Sequence, residues 1–143
     1  MDIARINTEK LSLVRCGEKE ADYIHKKLIE HNLKYITDYD EYIYCFRDNC
    51  ENIIAGVVAS RENERMTIDY LWVDDSVRGK GYGTRLVKHI EEVAKDKGCM
   101  VVWLNTFGFQ APDFYIKQGY ELFGILEKCI NGYNQYFFKN IIK

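Results

Sequence analysis

Arg78-Gly79-Lys80-Gly81-Tyr82-Gly83 stands between two segments of opposite periodicity. Before it, Met66-Thr67-Ile68-Asp69-Tyr70-Leu71-Trp72-Val73 is rich in β-branched and aromatic residues and reads as a strand. After it, Leu86, Val87, Ile90, Val93 and Ala94 recur on one helical face, which predicts a helix over Gly83 to Lys97 closed by Gly98. A glycine-rich turn that leads from a strand into a helix N-terminus is an anion site. Its backbone N–H groups can converge on one point, and the helix dipole favours negative charge there. Arg78 and Lys80 add cations suited to a pyrophosphate. The expected anchor is the backbone of Val77 to Gly83, with Arg78 and Thr84 assisting.

The flanking segments extend this unit. Upstream, Glu18 to about Lys34 reads as a helix, with Ala21, Ile24, Leu28 and Tyr35 at helical spacing. Leu11 to Val14 is a candidate opening strand. Tyr42 to Phe46 and Asn52 to Ala59 are strands separated by the turn Asp48-Asn49. The charged tip Arg61-Glu62-Asn63-Glu64-Arg65 joins the latter to the strand at 66–73 as an antiparallel hairpin. Downstream, Met100 to Leu104 reads as a fully buried strand. A helix crosses over before it, so it is expected to run parallel to the strand at 66–73. Pro112 opens a short helix that Gly119 ends. Tyr120 to Leu126 and Tyr133 to Lys139 are strands joined through Asn131-Gly132. The fold class is therefore α/β with a mixed sheet, an antiparallel meander leading into a parallel pair.

Three phosphate chemistries compete for such a loop. An ATP-type loop needs Gly-x4-Gly-Lys followed by Ser or Thr, and no window of the chain supplies it. A dinucleotide site needs Gly-x-Gly-x-x-Gly and an acid at the end of the next strand. Here Gly79-x-Gly81-x-x leads to Thr84, and the next strand ends in Asn105-Thr106. The third chemistry is coenzyme A binding. Arg78-x-x-Gly81-x-Gly83 after an apolar strand resembles the acyl-CoA loop of the GNAT family of N-acetyltransferases. Ala111-x-x-Phe114-Tyr115-x-x-x-Gly119-Tyr120 resembles the family's second signature, a short helix running into a strand. The resemblance spans roughly Ile53 to Lys139.

That resemblance implies a GNAT-like fold in which the strand before the loop splays from its parallel neighbour and the gap holds acyl-CoA. Carried over, the backbone of Leu71, Trp72 and Val73 lies along the pantetheine arm, and an N–H near Leu71 or Val73 is the oxyanion donor. The side chains of Leu71 and Trp72 are expected to pack in the core. The cofactor-binding set is Leu71, Trp72, Val73, Arg78, Gly79, Lys80, Gly81, Tyr82, Gly83, Thr84 and Asn105. Tyr115 falls where the family's Phe-Tyr pair puts a phenol near the cofactor sulfur, which makes it the candidate general acid. A phenol of pKa about 10 protonates a thiolate of pKa about 8.5 by modestly uphill transfer. Asp69 is either the general base, on the strand face it shares with Leu71 and Val73, or an exposed carboxylate paired with a nearby cation. Asn105 either bonds a pantetheine amide or the acceptor, or caps a strand end. Gly108 stands where the family more often has Asn, leaving Gln110 or Asn105 to take its place. Asp38-Tyr39-Asp40-Glu41-Tyr42 is either part of an acceptor wall selecting a cationic amine or a solvated loop.

Composition bounds the function. The chain has 143 residues, 47% hydrophobic and 29% charged, which suits a single domain over 1–143. No stretch reaches the ~20 apolar residues of a membrane span. Met1 to Arg5 lacks the opening of a signal peptide, so a cytoplasmic location and no membrane partner are expected. A net charge of −2 argues against nucleic-acid binding through phosphate neutralisation. Cys16, Cys45, Cys50, Cys99 and Cys129 lack Cys-x-x-Cys spacing and read as reduced thiols in or near the core. His25, His31 and His89 sit near no cysteine at ligand spacing, so no metal site is expected. With no evident Cys–His nucleophile, direct transfer in a ternary complex is favoured over an acyl-enzyme. The expected activity is an acetyl-CoA-dependent N-acetyltransferase acting on a small amine, as monomer or homodimer. The alternatives are a protein N-terminal or lysine acetyltransferase, a non-catalytic acyl-CoA-binding sensor domain and a nucleotide-binding module.

Overall fold

The computed structural model describes residues 5–142; the expectation about a signal peptide falls largely on residues outside that range. The chain divides into two compact units, one up to Tyr35 and one from Ile36 onward. The first contains α1 (Glu18–Asn32), which begins at Gly17. The Glu20 carboxylate accepts a hydrogen bond from the Gly17 N–H at 3.2 Å, and Glu18 and Glu20 place negative charge in the first turn. None of its residues is buried. Leu11 to Val14 has no regular structure, contrary to the strand expected there. A strand needs a ladder partner, and no ladder among the described residues includes these four.

The second unit contains β1 (Tyr39–Arg47), β2 (Ile53–Glu62), β3 (Arg65–Val73), a 3-10 turn at Asp75–Val77, α2 (Tyr82–Asp96), β4 (Val101–Phe107), α3 (Pro112–Lys117), β5 (Glu121–Ile130) and β6 (Tyr133–Ile141). One six-stranded sheet has the order β1-β2-β3-β4-β6-β5. Its only parallel pair is β3 with β4; the other ladders are antiparallel. This is the mixed α/β sheet expected from the sequence.

The core forms where α2 crosses this sheet. Leu86, Val87, Ile90 and Ala94 form its buried stripe, and they pack with Val57, Met66, Ile68, Val102, Leu104 and Phe138. Gly98, with φ +75, ends the helix in a left-handed residue, and the Cys99 N–H then bonds back to the Ala94 carbonyl at 2.8 Å. β4 is longer than expected and is not fully buried: Val102, Leu104 and Thr106 face the core, while Val101, Trp103 and Asn105 lie on the more open face. The reason is that α2 covers only one side of the sheet at this strand.

Two further expectations are corrected. Arg61 is not part of an exposed tip: it continues the inward alternation of Ala55, Val57 and Ala59 and is 5% exposed. Its guanidinium is tolerated there because it pairs with Asp38 and Asp40 and donates to the Asn63 carbonyl at 2.9 Å. The hairpin tip is Asn63-Glu64. Among the cysteines only Cys99 is buried; Cys45, Cys50 and Cys129 are exposed on strands and a turn, and Cys16 is exposed in the irregular segment before α1.

Candidate active site

β3 and β4 pair at only three positions, Arg65 with Val101, Met66 with Val102 and Thr67 with Trp103. Beyond Thr67 the strands diverge, each held by its other neighbour. β3 stays registered with β2 as far as Val73, and β4 with β6 as far as Phe107. A bulge in β3 coincides with the divergence: Val58 pairs with Tyr70 and Ala59 with Ile68, so Asp69 is an extra residue. Such a bulge bends a strand and increases its twist. It also resets the alternation. Met66 and Ile68 face the core before it, and Leu71 and Val73 pack against the core after it. Asp69 itself is exposed, whereas Leu71 and Val73 pack against the core. By the same reset Trp72, expected in the core, is 48% exposed.

The divergence opens a cavity of about 880 Å³ at the C-terminal ends of the two strands. Of the residues singled out in the sequence, Asp69, Leu71, Trp72, Val73, Arg78, Gly79, Gly81, Tyr82, Gly83, Thr84, Asn105 and Tyr115 all line it. Lys80 is exposed in the same loop but does not. The Asp74 N–H bonds to the Ile54 carbonyl of β2 at 2.9 Å. Alternation along a strand therefore turns the N–H groups of Val73 and Leu71 towards the gap.

The glycine loop closes one end of the cavity. Gly79 and Gly81 have φ of +76 and +87, and no heavy atom lies within 4 Å of where a Cβ would stand. The loop is thus a bare backbone surface ending at the N-terminus of α2, whose first N–H groups have no helical partner. Gly83 serves packing instead: a Cβ there would meet the Phe114 ring at 3.3 Å, which brings α3 against the start of α2. Gln118, at the end of α3, donates to Thr84 Oγ1 at 2.9 Å and ties the same two elements. Arg78 donates from Nε to the Val73 carbonyl at 3.2 Å and pairs with Asp75 at 3.0 Å. That pair is exposed, so a stronger anion can replace it.

Tyr115 lies on α3 and is 7% exposed, with its ring against Phe114, Tyr120 and Phe138. Burial pushes its phenol up to about 12. The turn that holds it is a left-handed cap: Gly119 has φ +90, and the Tyr120 N–H bonds to the Tyr115 carbonyl at 3.0 Å. Asn105 lies inside β4, not at a strand end, and its side-chain oxygen accepts from Gln135 Nε2 at 2.9 Å. Gln110 also lines the cavity; its side-chain oxygen accepts from the Phe107 N–H at 2.9 Å and Thr106 Oγ1 at 3.1 Å, which fixes the bend after β4.

Asp38 and Asp40, two of the five residues read as either an acceptor wall or a solvated loop, are engaged elsewhere. They serve Arg61, and none of the residues from Asp38 to Tyr42 lines the cavity. The Arg61 guanidinium and the Tyr42 hydroxyl hold the Asp40 carboxyl below the usual carboxylate range. The cavity wall also includes Tyr70, Phe109, Phe114 and Lys117, to which the sequence reading assigned no role. Tyr70 and Phe109 were hidden because one follows a bulge and the other a strand end, where period-2 alternation carries no information. No cluster of three or more metal-ligating side chains occurs among the described residues.

Comparison with known proteins agrees with this geometry. The acetyltransferase (GNAT) family pattern matches residues 8–120. The blasticidin-S acetyltransferase of Streptomyces morookaense is 38% identical over 71 residues, 49% of this chain and 52% of that protein. The match thus spans about half the length of that relative. A crystal structure of an acetyltransferase from Bacillus cereus ATCC 14579 is 36% identical with a TM-score of 0.85, covering 92% of this chain and 98% of that one. A structure assigned as a streptothricin acetyltransferase from Bacillus anthracis str. Ames, solved with acetyl coenzyme A, shares the fold at TM-score 0.65 and 22% identity, covering 77% of this chain and 67% of that one.

Proposed function

This chain belongs to the GNAT acetyltransferase family, and from that footing we propose that it moves an acetyl group from acetyl-CoA to the primary amine of a small molecule, directly within a ternary complex. One observation carries the reading. The gap between β3 and β4 and the bare glycine loop at the start of α2 open into a single cavity of about 880 Å³. An elongated ligand with an anionic group at one end and amide-bearing links behind it fits that arrangement. None of the five cysteines lines the cavity, which favours direct transfer over an acyl-enzyme.

When bound, acetyl-CoA supplies a thioester already activated towards amines. The residues of the chain position it and manage charge. The backbone of Val77 to Gly83 holds the pyrophosphate, with Arg78, Lys80 and Thr84 around it. The edge of β3 offers the ladder groups of Leu71 and Val73 to the pantetheine arm, with Trp72 between them, and Asn105 bonds its amide or the acceptor. An N–H of Leu71 or Val73 donates to the carbonyl oxygen as negative charge develops there. As the nitrogen–carbon bond forms and the carbon–sulfur bond breaks, Asp69 takes the proton lost by the amine and Tyr115 gives its phenolic proton to the departing sulfur. The blasticidin-S relative is named for a small-molecule acceptor, which favours a small amine over a protein N-terminus or lysine.

The test is calorimetric titration of acetyl-CoA into wild type and Gly81→Glu, followed by assay of free-thiol release with a panel of amines. Gly81 is left-handed and stands in the loop that would hold the anion, so the variant introduces both strain and a like charge. Binding by wild type, lost in the variant, together with thiol release on one amine is the expected result. Failure of wild type to bind acetyl-CoA overturns the proposal. Binding without thiol release on any small amine transfers the reading to a protein acceptor or a sensor domain.

A further inference from the structure

The cavity carries exposed aromatic side chains to which the acetyl-transfer reading assigns no role. On the β3 side, Tyr70 is 73% exposed and Trp72 48% exposed; across the gap, just after β4, Phe109 is 52% exposed. All three line the cavity. Phe109 is braced from behind the opening: its ring is stacked on Phe107 at 5.2 Å with an interplanar angle of 9°, and it meets Tyr133 edge-on at 5.3 Å. Large rings left in water on both walls of one cavity mark a binding surface. Next to Tyr70 on β3, Asp69 is extruded by the bulge, and no ion pair or hydrogen bond engages its carboxylate among the described residues. Among the described residues Asp69 is also the one acidic residue in the cavity wall, which includes the cations Arg78 and Lys117.

Resting on the acetyl-transfer reading above, we propose that this aromatic clamp selects the acceptor, and that the acceptor is a primary amine with a single positive charge on a short chain attached to a planar aromatic ring. A single carboxylate pairs one ammonium. A polycation would bring further charges against Arg78 and Lys117 with nothing to neutralise them. Rings on both walls give a planar π-system face and edge contacts worth roughly a threefold to tenfold gain over a saturated ring of similar area. Tyr70 and Phe109 thus determine specificity, and Asp69 pairs the incoming ammonium, which gives up its first proton to water before the amine attacks.

The experiment measures binding, so that it stands apart from turnover. Wild type, Phe109→Leu and Tyr70→Leu are each titrated calorimetrically with 2-phenylethylamine, 2-cyclohexylethylamine and spermidine, with and without saturating coenzyme A. Both variants replace exposed rings, so at least one is expected to fold, and circular dichroism checks it. The expected result is roughly threefold to tenfold tighter binding of 2-phenylethylamine than of 2-cyclohexylethylamine by wild type, with that ratio collapsing towards one in either variant. Equal affinity for the two ring amines, tighter binding of spermidine, or no binding of any amine overturns the clamp. A ring preference that persists in a protein unable to bind acetyl-CoA or release thiol would leave the clamp standing and remove the acetyl-transfer reading alone.

Discussion

Tyr115 presents the sharpest chemical question at the scale of one residue. Burial pushes its phenol up to about 12, which makes it a weaker acid than a tyrosine in water. Giving a proton to a thiolate of ordinary pKa would then be uphill by about 3–4 units. The same water-poor pocket raises the proton affinity of any thiolate released into it, which narrows that gap at the moment of transfer. The elevated value also has a use, because the phenol stays protonated and ready to donate at every pH at which the protein would work. Tyr115→Phe keeps the ring contacts with Phe114, Tyr120 and Phe138. It should therefore lower kcat by roughly 10²-fold or more while leaving acetyl-CoA affinity nearly unchanged. Steady-state kinetics paired with calorimetry measures both. A variant with wild-type kcat would show that solvent, not Tyr115, protonates the sulfur. Tyr115 was legible in the sequence only through its place in Phe114-Tyr115-x-x-x-Gly119, since eleven tyrosines leave a bare one without weight.

Among elements, the β1-β2-β3 meander is where the sequence misled and the packing explains why. Arg61 reads as a hairpin charge because Glu62, Glu64 and Arg65 surround it, yet β2 continues its inward alternation through it. The aliphatic stem can lie along the core edge while the head reaches Asp38 and Asp40 near the surface. Arg61→Ala should destabilise the fold by about 1–3 kcal/mol, less than a deeply buried pair would lose, because Asp38 and Asp40 are solvated enough to rehydrate. Urea unfolding measures it, and a loss below about 0.5 kcal/mol would place Arg61 with ordinary surface charges. The wild-type contribution from Asp40 should also fade as pH falls below the usual carboxylate range, since its carboxyl is held low in the folded state. The bulge at Asp69 was invisible for a related reason. Alternation in Met66 to Val73 gives no sign that one residue drops out of the ladder, so Trp72 was assigned inward and Tyr70 went unremarked. Gly79, Gly81 and Gly119, in contrast, are residues whose backbone geometry the chain announces, because left-handed φ values strongly favour glycine. The loop, the α3 cap and the strand order around α2 were legible for that reason.

For the molecule as a whole, the two phenols beneath the active site link its chemistry to its stability. Tyr115 and Tyr120 both belong to the buried core cluster, and burial raises the pKa of both. Tyr120 adds a buried hydroxyl that has no hydrogen-bond partner among the described residues. A tyrosine whose folded pKa lies above its unfolded value of about 10 keeps its full contribution below pH 10. Above that, the unfolded chain ionises while the folded one does not, and stability drains away as pH climbs towards the folded value. For Tyr115 the interval runs from about 10 to about 12, which corresponds to a loss of roughly 2 kcal/mol by its upper end; Tyr120 acts in the same direction. Urea midpoints should therefore be flat from pH 8 to about 9.5 and fall steeply above 10. General charge repulsion also grows at high pH, so the decisive comparison is with Tyr115→Phe/Tyr120→Phe. That double variant cannot ionise at either position, and its loss between pH 10 and 12 should be smaller by at least the Tyr115 contribution. Below pH 10 it should be no less stable on account of Tyr120, because replacing a partnerless buried hydroxyl removes a desolvated group at little cost in packing. Parallel pH curves for wild type and double variant would mean that the two phenols reach water in the folded protein, and with them that the pocket is too wet for Tyr115 to hold its proton as argued.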